Sequence, residues 1–322
     1  MALSLVTMHG EEGACPQGGP RLVLAGAESA PPVDAGSPIS VLQQFDAVQR
    51  EMDCLREELS LLRRRDDQLN FYLQRIDEEL RLAAKLQRDF LPKSMPQLGT
   101  VRFHSLFRPA GYVSGDMYDV MRLDESHVGF YIADAVGHGM PAALLTMFVK
   151  HALTTKEISN GRYRLLRPSE SIARLNEALL EQNLAQSMFA TALYGMIDVR
   201  TFELTLACAG HPAPMLLSEG QGFRPLPVEG GLLGVFPGEV YTDYITRLSP
   251  GDRLFLYTDG IELAFSKEPK EADFDRWQCE LLQRRSLPIA QILAEFSDTA
   301  DQASGSIEPK DDVTIVVLEV QK

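Results

Sequence analysis

Four aspartates of this chain stand at the ends of apolar, strand-like runs, where their carboxylates could do chemistry. Asp134 and Asp259 finish such runs, whereas Asp116 and Asp311 begin them. In an antiparallel sheet the end of one strand lies beside the start of its neighbour, so all four could gather on one rim of one sheet. Anions brought together there repel one another unless cations lie between them. Hard oxygen ligands without a histidine or cysteine cluster suit Mg²⁺ or Mn²⁺.

Each of these acids also has a plainer interpretation. An aspartate at a strand end is usually a turn residue, because its side chain hydrogen-bonds nearby backbone and tolerates turn geometry. The joint occurrence of four in glycine-marked turns favours a metal site without establishing one. The pattern of acids therefore indicates a possible metal site and leaves its chemistry open.

Six short segments, in order along the chain, carry a family resemblance. Each is weak alone, but six in this order are specific. They are SGDMYD at 114–119, DAVGHG at 134–139, MFATALYG at 188–195, AGHPAP at 209–214, YTDG at 257–260 and DDVT at 311–314. Between about residues 90 and 320 the chain resembles the PPM (protein phosphatase 2C-like) family of metal-dependent serine/threonine phosphatases, in its bacterial SpoIIE/RsbU branch.

The resemblance implies a set of oxygen ligands for two Mn²⁺ or Mg²⁺ ions. These ligands are Asp116, Asp134, Asp259, Asp311 and the backbone carbonyl of Ala135. The resemblance also implies that a hydroxide bridging the two ions attacks phosphorus in line, without a covalent enzyme intermediate. Of the last acid pair we expect Asp311 to be the ligand, with Asp312 as the alternative.

Four further polar residues near the motifs have less defined roles. His138 could protonate the leaving serine oxygen, but its offset from Asp134 does not match the histidine given that task in the wider family. A polar residue at a helix start also often caps the helix. We expect His211 to be architectural and Asp119 to support its turn without binding metal. Arg108 is the nearest upstream candidate for a phosphate-binding arginine.

A heptad repeat precedes these motifs. Apolar residues spaced by three and four run from Phe45 to Phe90, with no glycine or proline between them. Such a stripe predicts a left-handed coiled coil, most simply a parallel homodimer, in which Asp66 and Gln87 are polar core positions that fix the register. The alternative is a single amphipathic helix packed on its own domain.

Short runs rich in aromatic and β-branched residues alternate with helical stretches over the rest of the chain. Mixed antiparallel strands with inserted pairs of helices predict an α+β layered domain. The resemblance implies a four-layer αββα sandwich of antiparallel sheets flanked by helices. The expected strands are 101–107, 118–123, 128–134, 191–199, 202–209, 242–248, 253–258 and 311–318, and the expected helices are 142–153, 168–183, 273–285 and 288–303.

Length, charge and cysteine usage limit the class of protein. The 322 residues predict about two domains. We expect a disordered tail over 1–38, followed by a coiled-coil helix over 39–92 and a phosphatase domain over 93–322. A formal net charge of −14 argues against a nucleic-acid partner. Four widely spaced cysteines argue against a disulfide framework or zinc site and fit a reducing cytosol. Without a basic leader or a membrane-length apolar run, we expect a cytoplasmic protein with no membrane partner.

The function expected from the resemblance is hydrolysis of phosphoserine or phosphothreonine on a regulatory protein. The branch implies an anti-anti-sigma-like substrate in partner-switching control of transcription. The alternative is a non-catalytic coiled-coil scaffold with a phosphatase-like domain that binds partners. Retention of all four expected carboxylate ligands favours the enzyme.

Overall fold

The computed structural model of the chain describes residues 38–159, 161–183, 188–218, 222–265, 274–303 and 311–322. Residues 1–37 of the expected disordered tail lie outside the described residues. Pro38, the last residue of that expected tail, instead begins the first helix.

Helix α1 spans Pro38–Phe90, as the uninterrupted heptad predicts. The chain divides into two compact units, and the division falls within α1 between Asn70 and Phe71. In the unit that ends at Asn70, the large apolar residues of the heptad are exposed to solvent. Because the structure contains a single chain, the coiled-coil dimer stays a prediction, as do the domain boundaries near residues 38 and 92.

The second unit is built on two five-stranded sheets in which neighbouring strands run antiparallel. Sheet 1 contains, in spatial order, β1 (Val101–Arg108), β12 (Val313–Val320), β11 (Arg253–Tyr257), β8 (Met215–Ser218) and β9 (Gly222–Pro225). Sheet 2 contains β10 (Tyr244–Arg247), β7 (Glu203–Ala209), β6 (Ala190–Asp198), β3 (His127–Ala135) and β2 (Asp116–Arg122). A separate hairpin pairs β4 (Lys156–Ser159) with β5 (Arg162–Leu165).

The two sheets pack face to face because alternate residues along their strands are apolar and point inward. Phe130 of sheet 2 and Leu254 of sheet 1, both fully buried, belong to the core between the sheets. Helices cover the outer faces: α2 (Met140–Ala152) and α3 (Pro168–Glu181) on sheet 2, and α4 (Gly260–Phe265), α5 (Phe274–Gln283) and α6 (Ile289–Ala303) on sheet 1. The α+β fold in four layers, αββα, is therefore confirmed.

The sequence reading missed two short hairpins and one short helix. The β4–β5 hairpin is mostly polar and exposed, so it lacks the alternation of a half-buried strand. The β8–β9 hairpin has four residues in each strand, and α4 has six residues. Elements this short carry too few residues for a period to be recognised.

Within the second unit, the last turns of α1 pack against neighbouring segments. Ala84 is buried with Val113 and Ala143. Gln87 is also buried, and its side-chain amide binds the backbone of Ser114 in both directions: Nε2 donates to the Ser114 carbonyl oxygen (2.7 Å) and Oε1 accepts from the Ser114 N–H (2.9 Å). The expectation that Gln87 is a polar core position of the coil was wrong, because its own domain occupies that face of the helix.

Among the described helices, none combines the length and the apolar composition that a membrane-crossing segment needs.

Candidate active site at one end of the sandwich

The expected metal-binding aspartates come from both sheets. Asp116 and Asp134 lie opposite each other where β2 and β3 pair in sheet 2. Asp259 follows β11 and Asp311 precedes β12, and these two strands pair in sheet 1. The expectation that all four lie on the rim of one sheet was wrong. Each antiparallel pair does bring one strand end beside one strand start, but the two pairs belong to different layers.

Burial and mutual repulsion raise the pKa values of three of these carboxylates. Burial raises the pKa of Asp134 to about 8, and the charges of Asp259 and Asp311 add to the rise. Asp116 is 1% exposed, and its pKa is raised by burial first and then by Asp134. The Asp311 side chain is in contact with solvent on one side and with protein on the others. This partial burial, together with the charge of Asp259, raises its pKa to about 6. A cation at this end would relieve the repulsion.

The carboxylate of Asp116 is held from across the sandwich. Its Oδ2 accepts hydrogen bonds from the hydroxyls of Thr258 (2.8 Å) and Thr314 (2.6 Å), both of which come from sheet 1 segments. Its backbone N–H donates to Ser114 Oγ (3.0 Å). Its other oxygen, Oδ1, is buried and has no hydrogen-bond donor among the described residues. Its neighbour in the strand pairing is Asp134, another acid.

The carboxylate of Asp312 binds backbone groups. Its Oδ1 accepts the N–H of Ala110 and its Oδ2 accepts the N–H of Gly115, both at 2.6 Å. Because both oxygens of this buried carboxylate bind backbone, Asp312 ties the loop between β1 and β2 to the start of β12. This geometry favours Asp311 as the available ligand of the pair.

Two glycines let the site segments approach one another closely. A Cβ on Gly260 would lie 2.0 Å from the carbonyl oxygen of Asp312, so no side chain fits after Asp259. A Cβ on Gly115 would lie 3.2 Å from the carbonyl oxygen of Ala135, and the Gly115 carbonyl accepts the Ala135 N–H (3.0 Å). Close backbone contacts therefore favour glycine at these two positions.

The two histidines of the motifs occupy different surroundings. His138 is exposed in the turn before α2, and its charge is near enough to lower the pKa of Asp311. The start of α2 has Gly139 as its N-cap with no side-chain cap, so the helix-capping expectation for His138 was wrong. His211 is buried, and its Nδ1 shares a hydrogen bond with Thr191 Oγ1 (2.8 Å). These contacts suit the architectural role expected for His211.

Asp119 and Arg108 lie outside the carboxylate cluster. Asp119 forms an ion pair with Lys150, which tethers β2 to α2. Arg108 is exposed at the end of β1, opposite Val313 of β12, and so lies at the same end of the sandwich as Asp311.

Sequence reasoning missed the polar residues that position the ligands. Thr258 and Thr314 stand inside the quoted motifs YTDG and DDVT, but strand-like threonines usually serve only as strand formers. Gln87 was visible as a polar residue in an apolar stripe. Its position signalled an unusual contact, but not the identity of the partner.

The donor set at this end fits a hard divalent cation. It consists of carboxylates and backbone carbonyls, which Mg²⁺ and Mn²⁺ prefer, and the unpartnered Asp116 Oδ1 offers a buried lone pair. In the part of the chain that the structure describes, however, no three His, Cys, Asp or Glu side chains converge closely enough to form a ready-made metal cage. The fit therefore rests on the chemistry of the donors and on the unpartnered oxygen.

A cavity of about 880 Å³ lies elsewhere, at the end of β11 remote from Asp259. Its main cation, Arg253, already donates to Glu319 Oε1 (2.9 Å) and to the Leu287 carbonyl oxygen (2.9 Å). The cavity has no part in the carboxylate cluster.

Sequence comparison finds a matching family and several relatives. A family model described as Stage II sporulation protein E (SpoIIE) matches residues 124–321. Phosphoserine phosphatase RsbU of Bacillus subtilis (strain 168) is 28% identical over 252 residues, which are 76% of this chain and 71% of RsbU. Phosphoserine phosphatase RsbP of the same organism is 31% identical over 187 residues, 57% of this chain and 45% of RsbP. The chain thus spans less than half of RsbP.

Solved structures share the fold. The SiaA-PP2C domain of Pseudomonas aeruginosa matches with a TM-score of 0.66 and 23% identity, covering 77% of this chain and 98% of that domain. The RsbU and RsbW domains of Rv1364c from Mycobacterium tuberculosis match with a TM-score of 0.55 and 24% identity, covering 71% and 62%. RsbX in complex with magnesium matches with a TM-score of 0.51 and 18% identity, covering 71% and 99%.

The family match and the relatives, together with the four-layer sandwich, define the class as a PPM-type (PP2C-like) phosphatase. The chain belongs to the SpoIIE family, in the SpoIIE/RsbU branch of that class. The resemblance read from the sequence is confirmed.

Proposed function

We propose that the protein is a Mn²⁺- or Mg²⁺-dependent phosphatase that hydrolyses phosphoserine or phosphothreonine in a regulatory protein. The observation that carries the proposal is the placement of four aspartates, two from each sheet, at one end of the sandwich, where hydrogen bonds from Thr258 and Thr314 join the sheets. Membership of the SpoIIE family supports it, since two relatives are named phosphoserine phosphatases. A related structure solved with magnesium supports the choice of ion.

Oxygen donors from both sheets would hold the two ions. They are Asp116, Asp134, Asp259, Asp311 and the carbonyl of Ala135. When bound, the ions supply an activated water for attack on phosphorus and offset the charge of the phosphate oxygens. Asp312 positions Gly115 and the loop that leads to Asp116.

The leaving serine or threonine oxygen needs a proton. His138 is exposed at this end and lies near Asp311, which supports it as the donor. Solvent water is the alternative donor, because the exposure that lets His138 reach a substrate also admits water.

The proposed substrate is a phosphorylated anti-anti-sigma-like regulator in partner switching, and the proposed setting is the cytoplasm. Branch membership carries the substrate class. The exposed heptad of α1, with Phe45 68% and Leu59 52% exposed, supports a homodimer through a coiled coil. The net charge of −14 disfavours polyanionic substrates such as nucleic acid.

The test of the enzyme is a Mn²⁺ titration of turnover on a generic phosphomonoester, with Asp134→Asn beside the wild type. We expect Mn²⁺ to stimulate the wild type and the variant to lose about 100-fold or more, because metals contribute several kcal/mol to such transition states. Asp275→Asn, an exposed change on α5, is the matched control. Near-normal turnover of Asp134→Asn would contradict the metal site, and an inactive wild type that binds phosphoprotein would favour the scaffold alternative.

The substrate class is tested by comparing catalytic efficiency on a phosphoprotein, a nucleoside triphosphate and a cyclic dinucleotide. We expect the phosphoprotein to be preferred, because the protein is acidic and repels nucleotides. Higher efficiency on either nucleotide would overturn this assignment.

A further inference from the structure

Two threonines from sheet 1 segments donate hydrogen bonds to one carboxylate of sheet 2. Thr258 follows β11 and Thr314 lies in β12, yet both hydroxyls donate to Asp116 at the start of β2. The two bonds end on the same atom, Oδ2, and leave Oδ1 without a donor in the described part of the chain. The contacts therefore distinguish the two oxygens of a group that is chemically symmetric.

The direction of the Thr258 bond is fixed by a third contact. Thr258 Oγ1 accepts the backbone N–H of Thr314 (3.0 Å). A hydroxyl has a single proton, and that of Thr258 is donated to Asp116 Oδ2. Both threonines thus donate to the same oxygen of Asp116, and the two bonds hold its carboxylate in one orientation.

Packing alone does not account for hydroxyls at these positions. The residues that follow Thr314 on the same inward face, Val316 and Leu318, are apolar and fully buried. Valine would fill the position of Thr314 with nearly the same shape and an equal preference for strands. A buried hydroxyl is costly unless it is bonded, so its presence indicates that its hydrogen bond is used.

We propose that Thr258 and Thr314 are positioning residues that hold Asp116 with Oδ1 as its ligand oxygen. The inference rests on the proposed metal-dependent function and adds the residues that orient one ligand. Hydrogen-bonded partners of metal ligands typically change metal affinity by about 10–100-fold when removed. Because the bonds cross the sandwich, the geometry of the sheet 2 ligand depends on sheet 1.

Thr314 gives the cleaner test, since within the described residues its hydroxyl makes a single hydrogen bond, which goes to Asp116. The full chain is compared as wild type, Thr314→Val and Thr314→Ser. Mn²⁺ affinity is measured by calorimetric titration, and folding is followed by circular dichroism. We expect Thr314→Val to bind Mn²⁺ about 10-fold or more weakly, while Thr314→Ser, which keeps the hydroxyl, stays close to wild type.

Two further variants make the result decisive. Thr314→Ala removes the same hydroxyl without setting a methyl group against the carboxylate, and it replaces Thr314→Val if that variant does not fold. Thr205→Val, a buried threonine on β7, is the matched control and should leave Mn²⁺ affinity unchanged.

The outcomes separate this inference from the proposed function. A folded Thr314→Val or Thr314→Ala that binds Mn²⁺ like wild type would overturn the positioning role and leave the enzyme proposal intact. Failure of serine to restore the affinity would also overturn it, since the hydroxyl would not be the active feature. A wild type that binds no Mn²⁺ would instead overturn the proposed function and this inference with it.

Discussion

At the residue scale, Asp311 and Asp312 are neighbours of the same chemical type that meet different groups. The carboxylate of Asp312 accepts two backbone N–H groups, whereas that of Asp311 faces the charges of Asp259 and Asp134. Charge-assisted bonds to buried backbone contribute to stability. A carboxylate that lies among like charges can bind a cation, but without the cation it lowers the stability of the folded protein.

We therefore expect the two asparagine variants to separate stability from activity. Asp312→Asn should lower the free energy of unfolding by about 2–3 kcal/mol, because one buried N–H loses its acceptor. Asp311→Asn should keep or slightly raise the metal-free melting temperature and lower turnover by about 100-fold. Thermal melts in EDTA and Mn²⁺-dependent turnover measure the two effects. A reversed pattern would make Asp312 the ligand.

His211 provides a pH prediction at the same scale. Burial lowers its pKa from an ordinary 6.5 to about 3, so the unfolded chain binds a proton at this residue before the folded protein does. This residue therefore favours the folded state above pH 6.5, and that contribution is lost as pH falls toward 3.

Between pH 6 and pH 4 we expect His211→Asn to reduce the loss of stability on acidification by about 1.4 kcal/mol per pH unit. Denaturant unfolding of both proteins at several pH values measures the difference. Equal slopes would show that the imidazole is accessible to protons in the folded state.

At the scale of elements, the end of α1 acts directly on the loop before β2. Gln87 holds both backbone groups of Ser114, and Ser114 Oγ in turn accepts the N–H of Asp116. A short chain of hydrogen bonds thus joins the helix to an expected metal ligand. A shift of α1 along its axis would break the paired bonds, because an amide meets both groups in only one register.

Gln87→Met should keep the volume of the side chain and remove both hydrogen bonds. We expect weaker Mn²⁺ activation, and a loss of stability of about 1–3 kcal/mol because the Ser114 groups lose their partners. Gln68→Met, an exposed change on the same helix, is the control. Unchanged Mn²⁺ activation with lowered stability would reduce Gln87 to a packing role.

At the scale of the whole molecule, the compact unit that carries the site spans Phe71–Lys322 and so includes the last turns of α1. A chain starting at Phe71 keeps the buried Ala84 and Gln87, whereas one starting at Lys93 loses both. We expect the longer chain to be a monomer that melts near the full-length protein, and the shorter one to be less stable by at least about 2–3 kcal/mol.

Light scattering and thermal melts of both truncations test this expectation. Full-length Leu59→Pro with Leu62→Asp, which breaks the heptad without deleting residues, should also be monomeric. A dimer formed by the chain that starts at Phe71 would show that the heptad before Asn70 is not the assembly device.

The sequence by itself determined the features that depend on residues close together in the chain. The heptad predicted α1, alternating apolar residues predicted most long strands, and six ordered motifs predicted the family and its four-layer fold. Strand-end positions also placed Asp116 beside Asp134, because a hairpin pairs residues that are close in the chain.

Only the tertiary structure decided which groups meet across the sandwich. Thr258 and Thr314 are 142 and 198 residues from Asp116 in the chain, and Asp312 is 197 residues from Gly115. No local period encodes such partners, since they depend on how two sheets stack and on how a helix end lies against a loop. For the same reason, the sequence presented Gln87 only as a polar position of the heptad and Asp312 only as the alternative ligand, and the packed layers assigned their contacts.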